Sequence, residues 1–239
     1  MRAFLFLALV VLAGCDITIG QAPPTQPTQP PPQQREVETT RSRGGLTNAD
    51  FTFVVRRVEP VAEAMCRAER PRADCDFRIV VDGRAGQPPN AFQTLDEDGR
   101  PILGFTASFI ETARNRDELA FVLGHEAAHH IRAHIPQSQD RATQGAILGG
   151  LLGAITGINP QGVDLASRIG ANVGARRFSK SFELEADALG TVIAARAGFD
   201  PVLGAEFFNR IPDPGDRFLG SHPPNAERLE IVRRTARGL

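Results

Sequence analysis

The stretch Asp117–His134 reads DELAFVLGHEAAHHIRAH and holds four of the chain's five histidines. Within it, His125-Glu126-Ala127-Ala128-His129 is an HExxH pattern. On an α-helix, histidines four apart are separated by about 40° around the axis and about 6 Å along it, so both rings reach one metal ion. Glu126 falls on a neighbouring part of that face, where a carboxylate meets water at the metal without binding the metal itself. This is the donor set of a hydrolytic zinc site. Asp117 is placed to cap the helix, Glu118 lies in its first turn, and Leu119, Val122, Leu123 and Ile131 are apolar at helical spacing. Pro136 limits continuation of the helix.

HExxH supplies two ligands, and a catalytic zinc takes three from the protein. His134, nine residues after His125, falls on the opposite side of a continuous helix and is not expected to be a ligand. Arg132 and Ile135 stand where a metzincin has its helix-breaking glycine and third histidine. The better candidate lies 58 residues beyond His125, in Ser179–Gly190, SKSFELEADALG. There Glu183 and Asp187 share one helical face while Glu185 faces away from both. A carboxylate ligand with an aspartate one turn later suits a site in which Asp187 orients a ligand histidine through its free ring N–H. The plain alternatives are a chance HExxH and an ordinary acidic surface helix.

Taken with the spacing of these motifs, the chain resembles the HtpX, CAAX prenyl endopeptidase and BepA-like zinc metalloproteases, a branch of the gluzincins. Their HExxH is followed by ExxxD in an S-R-x-x-E-x-x-A-D context, which Ser179, Glu183, Ala186 and Asp187 match. Lys180 replaces the usual arginine, keeping the charge and losing the planar fork. The resemblance extends to Pro89-Asn90-Ala91-Phe92, to Ile102-Leu103-Gly104-Phe105, and to Ser221-His222-Pro223-Pro224 with Arg228. It implies one Zn2+ per chain on His125, His129 and Glu183, with Glu126 as the base that activates water. It also implies a fold that is α+β but mainly α, a zincin-like domain with a small β-sheet before the HExxH helix. His222 is implied to lie near the metal, shaping the site or acting as a reversible extra ligand. The chain has no tyrosine and no tryptophan. Any protein donor to the oxyanion is therefore expected from His222 or Arg228.

The N-terminus predicts the compartment. Arg2, the apolar run Ala3–Ala13 and Leu12-Ala13-Gly14-Cys15 read as a signal peptide over residues 1–14 ending in a lipobox, with Cys15 lipidated. The apolar run is too short to span a bilayer. Residues 15–45, rich in Pro and Gln, form a tether that cannot build a core. A lipid-anchored, periplasmic location follows, at the inner or the outer membrane. Such a compartment permits disulfides, and Cys66 and Cys75 are expected to pair.

Residues 46–239 suffice for one domain with a sizeable core. Thr47 and Asp50 open a helix running towards Arg70, interrupted or kinked near Pro60. Strands are expected at Phe77–Val81, Ala91–Leu95 and Pro101–Phe105, with a turn at Asp98-Gly99. Pro201–Arg210 and Asn225–Arg237 read as late helices. From Ala142 to Val163 there is no charge, and Gly145, Gly149, Gly153 and Gly157 recur every four positions. A packed helical hairpin or flap, a membrane-dipping segment and a mobile loop all fit that stretch. A net charge of −1 indicates neither nucleic-acid binding nor a polybasic membrane patch.

The expected function is that of a lipid-anchored zinc endopeptidase acting on unfolded or misassembled envelope proteins. The competing class is an envelope assembly factor or chaperone-like binding module with a latent or structural metal site. A peptidoglycan-active amidase fits the motifs less well.

Overall fold

The computed structural model describes residues 45–211 and 223–239, and of residues 174–179 the backbone alone. The expected signal peptide, Cys15, the expected tether as far as residue 44 and His222 lie outside the described residues.

The first helix, α1 (Asn48–Glu69), starts at a reciprocal cap: Thr47 Oγ1 accepts from the Asp50 N–H while the Asp50 carboxylate accepts from the Thr47 N–H. Its Phe51, Val54, Val58, Ala62 and Cys66 recur at helical spacing and are buried. Pro60 is accommodated inside the helix. Cys66 is bonded to Cys75, closing the loop that leads into the sheet.

Three strands follow, β1 (Arg78–Asp82), β2 (Ala91–Leu95) and β3 (Pro101–Thr106), in the order β1-β3-β2. The central β3 runs parallel to β1 and antiparallel to β2. Only β3 reads as a nearly continuous buried strand, as its central place requires. The strands match the expected positions within one residue, and Gly99 adopts the positive φ that the Asp98-Gly99 turn needs.

A short helix α2 (Ala107–Thr112) leads to α3 (Arg116–Ile131), which carries HExxH and is buried on nearly every side. Its cap is Asn115, whose side chain accepts from the Glu118 N–H. Asp117 was the expected cap; it lies in the first turn and accepts from the Asp200 N–H instead. Buried Glu118 forms a forked ion pair with Arg210 that fastens the start of α3 to the C-terminal region.

At its other end α3 stops at Ile131, because Ala133 takes a left-handed conformation (φ 55°, ψ 40°). Pro136 therefore does not end α3. It sits in the first turn of α4 (His134–Ile155), where a missing N–H costs nothing. The chain turns at Gly157, and α5 (Pro160–Arg196) returns with Asn159 as its cap and Pro160 in its first turn.

Beyond α5, α6 (Pro201–Ala205) gives way to a 3-10 turn, Glu206–Asn209, where one continuous helix was expected. The last helix, α7 (Asn225–Ala236), packs on α5 and α6. The domain is mainly helical with one small sheet, of the zincin-like type expected. Among the described residues no helix is long and apolar enough to cross a membrane.

Candidate metal centre and active site

The site is built where α3 crosses α5, and two glycines permit the crossing. A Cβ on Gly190 would come within 2.8 Å of the His125 backbone nitrogen, and one on Gly124 within 2.9 Å of the Gly190 carbonyl oxygen. With hydrogen in place of side chains, the backbones approach closely enough for residues beside the crossing to share one ion.

His125 and His129 project from α3, and Glu183 meets them from α5. Their donor atoms lie within 4.8 Å of one another, and among the described residues no other group of three His, Cys, Asp or Glu does so. The two Nε2 atoms are 3.0 Å apart. Glu183 Oε2 is 3.6 Å from His125 Nε2, and Glu183 Oε1 is 3.5 Å from His129 Nε2. Ligand atoms about 2.0–2.1 Å from a tetrahedral zinc stand about 3.3 Å from each other, so the three donors fit such an ion with minor adjustment.

The outer ring nitrogens fix which lone pairs face inwards. His125 Nδ1–H donates to Asp187 Oδ1 at 2.9 Å. Asp187 is fully buried and accepts from both Nε and a terminal nitrogen of Arg228, each at 2.7 Å. Arg228 also reaches to 3.4 Å from Glu183 Oε2, and its guanidinium stacks 3.9 Å from the centre of the Phe208 ring. One arginine thus braces both carboxylates, an arrangement suited to its planar fork. Arg228 was one of two expected oxyanion donors, with His222; its guanidinium engages Asp187 and Glu183.

His129 is oriented by a residue expected on the far side. Because the chain reverses at Ala133, His134 folds back, is buried, and stacks on Phe182 at 4.4 Å. Its Nε2–H points to Glu185 Oε2 at 3.4 Å, leaving Nδ1 to accept from His129 Nδ1–H at 2.9 Å. His134 stands outside the group of three donors and hydrogen-bonds one of them. Glu185, which does face away from Glu183 and Asp187, reaches the start of α4 instead. His130 is structural, donating from Nε2 to the Asp74 carbonyl at 2.7 Å beside Phe77.

Electrostatics agree with a cation-binding place. Burial lowers the basicity of His125, but hydrogen bonds and charge from Asp187 and Glu183 outweigh it and hold the ring up at about 10. Burial and the neighbouring His125 charge push His129 down to about 3. Positive charge is therefore favoured at His125, beside the Asp187 and Glu183 carboxylates.

Glu126 is buried beside the ligands and lines a cleft of about 630 Å³ with His125, His129, Phe182 and Arg228. Asn90, Phe92 and Gln93 of the β2 segment form another wall. Among the described strands β2 pairs on one side only, with β3. Phe92 lies across Gly104, where any side chain would collide with its ring.

A helix-borne His-His-Glu centre with a buried glutamate beside it, on a mainly helical zincin-like domain, defines a metallopeptidase of the gluzincin type. The sequence agrees over nearly the whole described domain, since residues 50–236 match Peptidase family M48. The chain belongs to that family. It is 34% identical over 184 residues to a putative beta-barrel assembly-enhancing protease of Vibrio cholerae, covering 67% of this chain and 37% of that protein. The beta-barrel assembly-enhancing protease of Yersinia pestis is 29% identical, over 66% of this chain and 37% of the relative. The mitochondrial metalloendopeptidase OMA1 of Saccharomyces cerevisiae is 30% identical, over 65% of this chain and 45% of the relative. The chain therefore spans less than half the length of these relatives.

Proposed function

We propose that the chain is a zinc-dependent endopeptidase, anchored in the bacterial envelope by lipid on Cys15, that cuts unfolded or misassembled envelope proteins. The observation that carries this reading is the convergence of His125, His129 and Glu183 beside Glu126, in a cleft walled by an edge strand. Residues 1–14 would be the signal peptide, residues 15–45 the lipidated tether and residues 46–239 the catalytic domain.

His125, His129 and Glu183 would hold one Zn2+, which, when bound, acidifies water and polarises a peptide carbonyl. Asp187 and His134 engage the outer nitrogens of His125 and His129, so the inner nitrogens face the ion, and Arg228 fixes Asp187 and Glu183. Glu126 takes a proton from the attacking water and delivers it to the leaving amine. An extended substrate is read along β2 by main-chain hydrogen bonds, so chains lacking stable structure are favoured. His222 would shape the active site or act as a reversible extra ligand. The names of the bacterial relatives, which speak of assembling β-barrels, support substrates among such proteins.

Zinc content and cleavage of casein by the purified full chain test the proposal together. One zinc per chain is expected, sharply weakened in Glu183→Gln, while Glu126→Gln should keep zinc and lose about 10²–10⁴-fold in rate. A folded protein without zinc would remove the mechanism. Tightly held zinc with no cleavage of unfolded protein would favour an assembly factor that acts by binding. Incorporation of labelled palmitate into the wild type but not into Cys15→Ser would support the anchor.

A further inference from the structure

We propose that the tip of the α4–α5 hairpin inserts into one leaflet of a lipid bilayer, as a membrane contact separate from Cys15. The two helices pack through small residues: Gly149 abuts the Ala166 carbonyl and Gly170 the Gly145 carbonyl, with Gly153 against Val163. The large apolar residues are left outside. Ile147, Leu148, Leu151, Leu152, Ile155 and Ile169 are each between 55 and 70% exposed. Small inside and large outside reverses the pattern of a hairpin that faces water, and it is the pattern of helices surrounded by lipid.

Charge and hydrogen bonding point the same way. No charged residue occurs from Ala142 to Val163, and charges resume at Arg141 on one helix and at Asp164 and Arg168 on the other. Several polar groups at the tip are paired within the hairpin. The Thr156 N–H donates to the Leu152 carbonyl and the Gly157 N–H to the Ala154 carbonyl, and Asn159 Oδ1 accepts from the Gly162 N–H. Thr156 Oγ1 donates to the Leu152 and Gly153 carbonyls. Each pair made inside the turn lowers the cost of seating it at the boundary between headgroups and acyl chains.

Depth and shape decide between occupants. The uncharged part of α4, Ala142–Ile155, rises about 20 Å at 1.5 Å per residue, short of the ~30 Å hydrocarbon core. On α5 only Pro160–Val163, about 6 Å, precedes the exposed pair of Asp164 and Arg168, so the hairpin enters tilted with α4 the deeper helix. Entry into one leaflet follows, in keeping with the lack of a spanning helix among the described residues. A partner helix would fill the groove of about 680 Å³ lined by Leu148, Leu152, Ile158 and Ile169. It would leave Ile147, Leu151 and Ile155, which lie outside that groove, in water. Fluid acyl chains cover both sets.

The absence of tryptophan and tyrosine supplies the test. Leu151→Trp places a single reporter on the hairpin of the full chain, and Phe53→Trp places one on α1. Each is mixed with vesicles of phosphatidylethanolamine and phosphatidylglycerol, with and without brominated acyl chains. Leu151→Trp emission should shift to the blue and fall about twofold or more with brominated lipid, while Phe53→Trp stays unchanged. Emission from Leu151→Trp that does not respond to vesicles would overturn the proposal. Emission already blue without lipid, in a protein that sediments as a dimer, would assign the face to a second copy and overturn it as well. Cys15→Ser lacks the lipid, so its co-pelleting with vesicles would support the hairpin contact alone and its failure to co-pellet would count against that contact, whatever becomes of the anchor.

Discussion

His134 Nδ1 lies 2.9 Å from His129 Nδ1, and the reversal of the chain at Ala133 brings them there. The contact sets the proton on the outer nitrogen of His129 and leaves its inner lone pair for a metal. His134→Phe would retain the stacking on Phe182 and remove only the hydrogen bond. Its zinc affinity, read by chelator competition, is expected to fall about 10–100-fold with the thermal midpoint of the stripped protein little changed. Unchanged affinity would dissociate His134 from the centre. Glu185→Gln should have a smaller effect, because that carboxylate is half exposed.

Arg228 and Asp187 form a buried pair, and removing one partner strands the other. Arg228→Ala should destabilise the protein by about 3–5 kcal/mol in urea titrations, and Arg228→Lys should recover only part of that, lacking the second hydrogen bond. The double variant Arg228→Ala with Asp187→Ala is expected to be more stable than Arg228→Ala alone. If it is not, the loss comes from packing on Phe208 rather than from the unpaired charge.

Gly190→Ala tests the helix crossing. The added methyl group meets backbone 2.8 Å away, which no rotamer can relieve, so α3 and α5 must separate. Stability and zinc affinity should fall together. By contrast, Gly83→Ala, with open space around it, should alter neither.

Asp50 gives a pH dependence of known sign. Hydrogen bonds from Thr47, and then the Arg116 guanidinium, hold its carboxyl down at about 2, below the ordinary 3.8. A carboxylate depressed by folding contributes stability that is fully present above the unfolded value and is lost as pH falls towards the folded one. Asp50→Asn should therefore be less stable than wild type at neutral pH, with the gap closing between about pH 4 and pH 2. A gap that persists unchanged at pH 2 would mean the side chain acts through something other than its charge.

Cys66 and Cys75 close a short loop that His130 and Arg70 tie to the end of α3 through the Asp74 and His130 carbonyls. Replacing both cysteines by serine should cost about 2–3 kcal/mol, measured by denaturation under non-reducing conditions. Wild type in reductant should lose a similar amount.

Much of this architecture is legible because it is periodic or local. His125 and His129 are one turn apart, as are Glu183 and Asp187, and helical spacing alone predicts which of them share a face. Thr47 and Asp50 advertise a helix start by their types. The parts that were not legible depend on single backbone events. Nothing in an alanine announces a left-handed residue, so Ala133 hid both the end of α3 and the return of His134. Glu185 was correctly placed away from Glu183, but its partner could not be known without that turn. Asn115 and Asp117 are both good caps, and only the path of the preceding loop chooses between them. Arg228 stood out through a resemblance, while its grip on Asp187 required the packing of α7 on α5.

The three donors are unequally distant along the chain: two sit on one helical turn, and the third arrives only after the whole hairpin has folded back. Closing so long a loop carries an entropic cost that an ion bound by all three helps offset. A chelator should consequently loosen the contact between α3 and α5, behaving as a mild denaturant. The same topology has a biosynthetic side. A copy still unfolded has two of the donors close together in sequence but no complete centre, and gains one only when α5 has packed on α3.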